Sequence, residues 1–174
     1  MRQGIIQVYT GDGKGKTTAA IGQAIRAWGR GLKIIIFQML KAENSSGEQI
    51  ALAQFAPAIR LRTFGTGEFI FNREPTKEES ELALAGWKEV EKAIFSNEYD
   101  LVVIDELSHA INTKLIAEEK VIEVLKEKPG NVEIVITGRN MPDRILKIAD
   151  LITEMKERKH PYSTGISARE GIEF

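Results

Sequence analysis

Thr10-Gly11-Asp12-Gly13-Lys14-Gly15-Lys16-Thr17-Thr18 follows the apolar run Gly4-Ile5-Ile6-Gln7-Val8-Tyr9 and opens a stretch with helical spacing. A glycine-rich turn between a strand and a helix aims several backbone N–H groups at one point. The helix N-terminus adds its positive dipole end there. Lys16 reaches terminal phosphates from this position, and Thr17 offers a hydroxyl to Mg²⁺. Gly11, Asp12, Gly13, Lys14, Gly15, Lys16, Thr17 and Thr18 are therefore the expected binding residues for a polyphosphate, ATP first among them. The run departs from G-x-x-x-x-G-K-[ST] at one place, where Thr10 stands for the first glycine. Gly11 and Gly13 supply the missing backbone freedom. A chance turn that carries a lysine is the plainer reading, and the order strand, loop, helix argues against it.

The chain of 174 residues is long enough for one domain with a sizeable core, and a single domain over 1–174 is expected. With 24 basic and 25 acidic residues the net charge is −1, so no strongly basic face calls for nucleic acid. Cysteine is absent, which excludes disulfides, thiolate chemistry and cysteine metal sites. No membrane-length apolar run and no signal-peptide pattern is found. A soluble cytoplasmic protein with no membrane partner is expected.

Outward from the loop, short apolar runs alternate with helical patterns. Strands are predicted at Ile5–Tyr9, Lys33–Met39, Ile59–Thr63, Leu101–Asp105, Glu133–Thr137 and Leu151–Glu154. Several are nearly continuous in Val, Ile and Leu, as strands buried on both faces must be. Helices are predicted over Thr17–Trp28, with Ile21, Ala24, Ile25 and Trp28 as the inward stripe, and from a capping box at Thr76-Lys77-Glu78-Glu79 to about Ser96. Two more cover Ile116–Lys126 and Pro142–Ala149. The alternation predicts an α/β fold of the P-loop NTPase (RecA-like) type, a mostly parallel sheet with helices on both faces. Ligands of such sheets bind at the carboxyl ends of the strands. Those ends carry Thr10–Lys16, Gln38–Lys41, Asp105-Glu106 and Thr137–Asn140. The stretches 41–47 and 65–75 read as loops.

Leu101-Val102-Val103-Ile104-Asp105-Glu106 is a buried strand that ends in two acids. Beside the Thr17 hydroxyl, Asp105 and Glu106 can hold Mg²⁺ directly or through water. Any buried strand can end in an acid; the pairing with the loop gives this one its meaning. Glu106 has two readings, a group that activates water and a metal ligand. Lys14 is either a second cation for the phosphates or a solvated loop residue. Arg139 either clamps a phosphate with its planar fork or pairs with an acid at a helix entry. Phe64, Phe69 and Phe71 cover either a flat ligand or the protein's own core, and composition favours the core. His109 and His160 read as structural or surface residues.

Four blocks, taken together, resemble the P-loop corrinoid adenosyltransferases. They are Val8–Ala20, Phe37-Gln38-Met39-Leu40-Lys41, Val102–Leu107, and a closing set of Thr137-Gly138-Arg139, Lys159-His160 and Gly171-Ile172-Glu173-Phe174. The likeness spans nearly the whole chain in order, and threonine at the place of Thr10 is the family's habit. What the resemblance implies is transfer of the 5′-deoxyadenosyl group of ATP to Co(I) of a reduced corrinoid, with tripolyphosphate leaving, in adenosylcobalamin biosynthesis or salvage. It also implies ATP bound reversed relative to ordinary P-loop enzymes, a reductant protein such as a flavodoxin, and a homodimer. Lys16, Thr17 and Glu106 would be the catalytic set, with Arg139 on ATP and Mg²⁺ held by Thr17, Asp105 and Glu106. Phe69 and Phe71 would face the corrinoid, in a loop shorter than the family's and without its Trp.

Two other readings fit the same loop. One is an ATPase or small-molecule kinase that cleaves the γ-phosphate. The other is a non-catalytic module that binds nucleotide and corrinoid. A GTPase is disfavoured, because no Asn-Lys-x-Asp pattern is present.

Overall fold

The computed structural model describes residues 3–68, 70 and 73–173, so Phe69 and Phe71 lie outside the described residues. In chain order the elements are β1 (Ile6–Thr10), α1 (Lys16–Trp28), β2 (Ile34–Gln38), α2 (Gly47–Ala53), β3 (Ile59–Thr63) and α3 (Lys77–Phe95). They continue as β4 (Leu101–Asp105), α4 (Leu107–Asn112), α5 (Glu118–Glu127), β5 (Glu133–Thr137), α6 (Asp143–Ile148) and β6 (Leu151–Glu154), followed by a 3₁₀ turn at Pro161–Thr164. All strand pairs are parallel, in the order β3-β2-β4-β5-β1-β6.

β2, β4 and β5 are buried at every residue, which their Ile- and Val-rich sequences require when helices lie on both faces. On one face Ala20, Ala24 and Ala27 of α1 and Leu52 of α2 pack on Ile34, Ile36, Val103 and Val135. On the other, Trp87, Val90 and Ile94 of α3, Leu107 of α4, Val121 and Leu125 of α5 and Ile145 of α6 pack on Val8, Phe37, Ile104 and Ile136. The two edge strands differ: β3 alternates, and β6 is exposed along its length. The predicted α/β architecture of the P-loop type is the one found.

Three local expectations change. First, α1 does not turn Ile25 and Trp28 inward; they are 41% and 40% exposed. Lys16 must lie under the loop, and it shares a helical face with Ala20, Ala24 and Ala27, so the alanines take the sheet side. Ile21 and Ile25 are left to line a cavity, and Trp28 meets Phe55 edge-on at 4.8 Å. Second, α2 and α4 lie in stretches with no helical period; they are helices of 7 and 6 residues, too short to show one. Third, β1 begins and ends one residue later than its apolar run suggests.

The capping box at Thr76 is present. The Thr76 N–H donates to Glu79 Oε2 at 2.7 Å, and the Glu79 N–H donates to Thr76 Oγ1 at 3.2 Å. Phe64 belongs to the core, stacked on Phe37 with ring centroids 6.3 Å apart. A side chain on Gly86 would meet it, since a Cβ there would lie 2.6 Å from Phe64 Cγ. Among the described residues no helix is long and apolar enough to cross a membrane.

Candidate active site

The carboxyl ends of β1, β4 and β5 open onto one cavity of about 1070 Å³. Its floor is the loop Gly13–Lys16 with Thr17 and Thr18 of α1, and Glu106 and Arg139 enter from the ends of β4 and β5. The loop keeps its shape through two glycines. Gly11 has φ +96°, and a Cβ there would lie 2.4 Å from the Met155 carbonyl oxygen. The Gly13 N–H donates to that same oxygen at 2.7 Å, so the chain leaving β6 lies directly against the turn.

Lys16 is 6% exposed and folds back over the loop, donating to the carbonyls of Gly11 at 2.7 Å and Gly13 at 2.8 Å. Burial lowers the pKa of its ammonium, and the charge of Arg139 adds to this, while Glu106, Asp12 and Asp105 oppose it. Asp12 itself is exposed.

Behind the loop a polar network converges on Asp105, which is 1% exposed. Thr17 Oγ1 donates to its Oδ1 at 2.8 Å, and Thr137 Oγ1 donates to the same oxygen at 2.6 Å. Gln38, paired with Asp105 in register across β2 and β4, sends Nε2 to Oδ2 at 3.4 Å. The same amide donates to Glu48 at 3.1 Å, and Glu48 also accepts from Lys41. Glu106 differs from its neighbour. Its backbone is left-handed at φ 60°, and its N–H donates to Thr137 Oγ1 at 3.0 Å, a turn that leaves the side chain on the cavity. Holding a non-glycine residue there costs of order 1 kcal/mol, and such strain gathers at functional sites. Burial raises the Glu106 pKa, Asp105 pushes it the same way, and Lys16, Lys41 and Arg139 pull against them.

The donor set suits Mg²⁺. The Thr17 hydroxyl gives its one proton to Asp105, which leaves its lone pairs for a cation, and Glu106 adds a carboxylate. Both donors are hard oxygens. Among the described residues no group of three or more His, Cys, Asp or Glu side chains converges as a metal cage. A cation that keeps several waters and takes phosphate oxygens needs no such cage.

The predicted residues thus fall into three groups. Lys16, Thr17, Thr18, Arg139 and Glu106 meet around the cavity, with Gly13 and Gly15 as part of its floor. Gly11, Asp12 and Asp105 are not among the residues that line it. Lys14 points away from the loop, donating to the Ile172 carbonyl at 2.6 Å and to Glu173 Oε1 at 3.0 Å. His109 and His160 both line the cavity, which their sequence context did not suggest. Sequence reading named the strand ends at Gln38 and Thr137 but gave neither side chain a role. The signal was a polar residue closing a buried apolar run, as Asp105 closes its own.

The family model described as ATP:corrinoid adenosyltransferase BtuR/CobO/CobP matches residues 2–174. A corrinoid adenosyltransferase of Escherichia coli is 32% identical over 99% of this chain and 86% of its own length. The corrinoid adenosyltransferase CobA of Salmonella typhimurium is 33% identical over 99% and 86%. Among solved structures, the flagellar accessory protein FlaH of Methanocaldococcus jannaschii aligns with a TM-score of 0.59 over 88% of this chain and 72% of that one. At 14% identity that likeness concerns the fold alone. The chain belongs to the ATP:corrinoid adenosyltransferase BtuR/CobO/CobP family.

Proposed function

We propose that the protein transfers the 5′-deoxyadenosyl group of ATP to the Co(I) of a reduced corrinoid and releases tripolyphosphate. The cobalt electron pair attacks C5′ of the ribose. The C5′–O5′ bond breaks, and its pair leaves on the tripolyphosphate as cobalt becomes Co(III). Co(I) is itself a strong nucleophile, so the protein needs no general base. Its task is to position the two substrates and to stabilise charge on the leaving group.

The observation that carries this reading is Lys16 and the loop amides under one large cavity, with Glu106 and Arg139 on its walls. Its volume reaches the top of the range of roughly 300–1,000 Å³ usual for one small ligand. Lys16 and the N–H groups of Gly15 and Thr17 bind the phosphate tail, with Arg139 and Lys14 as further cations. Mg²⁺ on Thr17 and Glu106, with Asp105 behind them, would neutralise part of the phosphate charge. ATP lies with C5′ toward the corrinoid, the reversed sense that the family resemblance implies. Phe69 and Phe71 act on the corrinoid side. A flavodoxin-like protein supplying the electrons, a homodimer and a cytoplasmic location complete the reading.

The test is anaerobic incubation with ATP, Mg²⁺ and reduced corrinoid, following the cobalt spectrum and the phosphate products together. Alkylated corrinoid and intact tripolyphosphate in equal amounts are expected. ADP and phosphate would establish an ATPase or kinase instead. Binding of both ligands without a cobalt–carbon bond would establish a carrier.

A further inference from the structure

Lys14 belongs to the phosphate loop by sequence, yet its ammonium is engaged elsewhere. It holds the chain 158 and 159 residues further on, at the Ile172 carbonyl and the Glu173 carboxylate. Glu173 is also gripped by Arg169, whose Nη2 donates to Oε1 at 3.0 Å, while its Nε and backbone N–H donate to Oε2 at 3.2 and 2.8 Å. A left-handed turn at Gly171, φ +73°, closes this bracket. Gly171, Ile172 and Glu173 line the same cavity as Gly13–Thr18. The rest of the segment is lightly anchored, with Tyr162 76%, Ile166 49% and Ile172 55% exposed.

We propose that Glu173 is a placeholder for polyphosphate: its carboxylate occupies Lys14 in the nucleotide-free protein and latches residues 165–173 over the loop until a phosphate tail displaces it. The inference rests on the polyphosphate reading of the loop. Lys14 is about half exposed, and an exposed ion pair is worth little, so the latch is weak by construction. A tail with several negative charges, already bound by Lys16 and the loop amides, outcompetes one carboxylate for that ammonium. Arg169 keeps the released carboxylate neutralised, so the segment retains its turn and re-engages Lys14 when the tail leaves. Glu173 is thus a positioning residue. It holds Lys14 at the rim when the site is empty and assists release of tripolyphosphate.

The experiment uses the full chain, with inorganic tripolyphosphate and Mg²⁺ as the probe. Hydrogen exchange reads the segment, and calorimetry reads binding. Tripolyphosphate is expected to speed exchange of residues 165–173 by roughly two- to fivefold, the effect of losing one exposed ion pair. Glu173→Gln should exchange that fast without ligand and should bind tripolyphosphate several-fold more tightly, while Glu173→Asp should behave like the parent. Binding that leaves this exchange unchanged, or slows it, overturns the latch and leaves the loop assignment standing. Tripolyphosphate that binds neither protein overturns the loop assignment itself. In that case parent-like exchange in ligand-free Glu173→Gln would remove the latch as well.

Discussion

The Thr17 hydroxyl and the Asp105 carboxylate are joined by a hydrogen bond of 2.8 Å across 88 residues of chain. The bond fixes the rotor of the first hydroxyl in α1, and Thr137 and Gln38 hold the carboxylate from the other sides. Asp105→Asn keeps an acceptor for both threonines but sets an amide N–H against the Gln38 amide. Leaving a buried donor unsatisfied costs about 1–3 kcal/mol. Urea denaturation should show a loss of that size, and the concentration of Mg²⁺ needed for half-maximal transfer should rise. A variant with parental stability and parental Mg²⁺ response would exclude the network as the device that positions Thr17.

Lys16 is the buried cation of the loop, and its contacts to the carbonyls of Gly11 and Gly13 are those a phosphate tail would replace. Lys16→Ala removes a charge-assisted contact worth about 1.5–3 kcal/mol. Transfer should therefore fall by roughly tenfold to a hundredfold or more. Rate measurements at saturating and limiting ATP separate lost ground-state binding from lost stabilisation of the leaving group.

Gly11→Ala tests the shape of the loop rather than its charge. An added methyl would lie 2.4 Å from the Met155 carbonyl oxygen, at a backbone φ of +96° that side chains rarely adopt. The strain is of order 1–3 kcal/mol. The loop should move off Met155, lowering the melting temperature and abolishing the stabilisation that MgATP gives. Undiminished stabilisation by MgATP in a thermal shift assay would separate the loop's shape from nucleotide binding.

Most of the fold was legible because its signals are local. Ile34-Ile35-Ile36-Phe37 and Leu101-Val102-Val103-Ile104 have no comfortable place except a strand covered on both faces, and that is where they lie. The glycine-rich turn between β1 and α1 was legible for the same reason. The inward face of α1 was not, since hydrophobicity ranks Ile25 above Ala24 and Ala27, whereas the position of Lys16 sets the rotation of the helix. Nor did local sequence mark α4, which starts from the left-handed backbone of Glu106 and depends on the Thr137 hydroxyl next door. The bond between Lys14 and Glu173 joins the two ends of the chain, and no window of sequence contains it.

The family resemblance assigns the corrinoid side to Phe69 and Phe71. Phe69→Ala and Phe71→Ala should raise the corrinoid KM or slow conversion of the corrinoid, with the dissociation constant for MgATP unchanged. Calorimetry with MgATP alone checks the second half. Equal loss of ATP affinity would contradict the division of labour between this loop and the phosphate loop.

Arg73 and Glu79 tie the end of that same loop to the first turn of α3. Arg73 donates from both terminal nitrogens, at 2.8 and 2.6 Å, and the Glu79 carboxylate also caps the N–H of Thr76. The Arg73 guanidinium, with that backbone bond, pulls the Glu79 pKa from the ordinary 4.5 to about 2. A carboxyl whose folded pKa is depressed stabilises the fold above its unfolded pKa, and the contribution fades as pH falls through the folded value. The window therefore runs from about pH 4.5 down to about pH 2. Glu79→Gln should be less stable than the parent at pH 7, and the gap should narrow steadily as the pH falls through that window. Denaturant midpoints taken across it measure the gap directly. A gap that stays constant with pH would mean that the carboxylate's charge contributes nothing, leaving only the capping geometry to explain the loss.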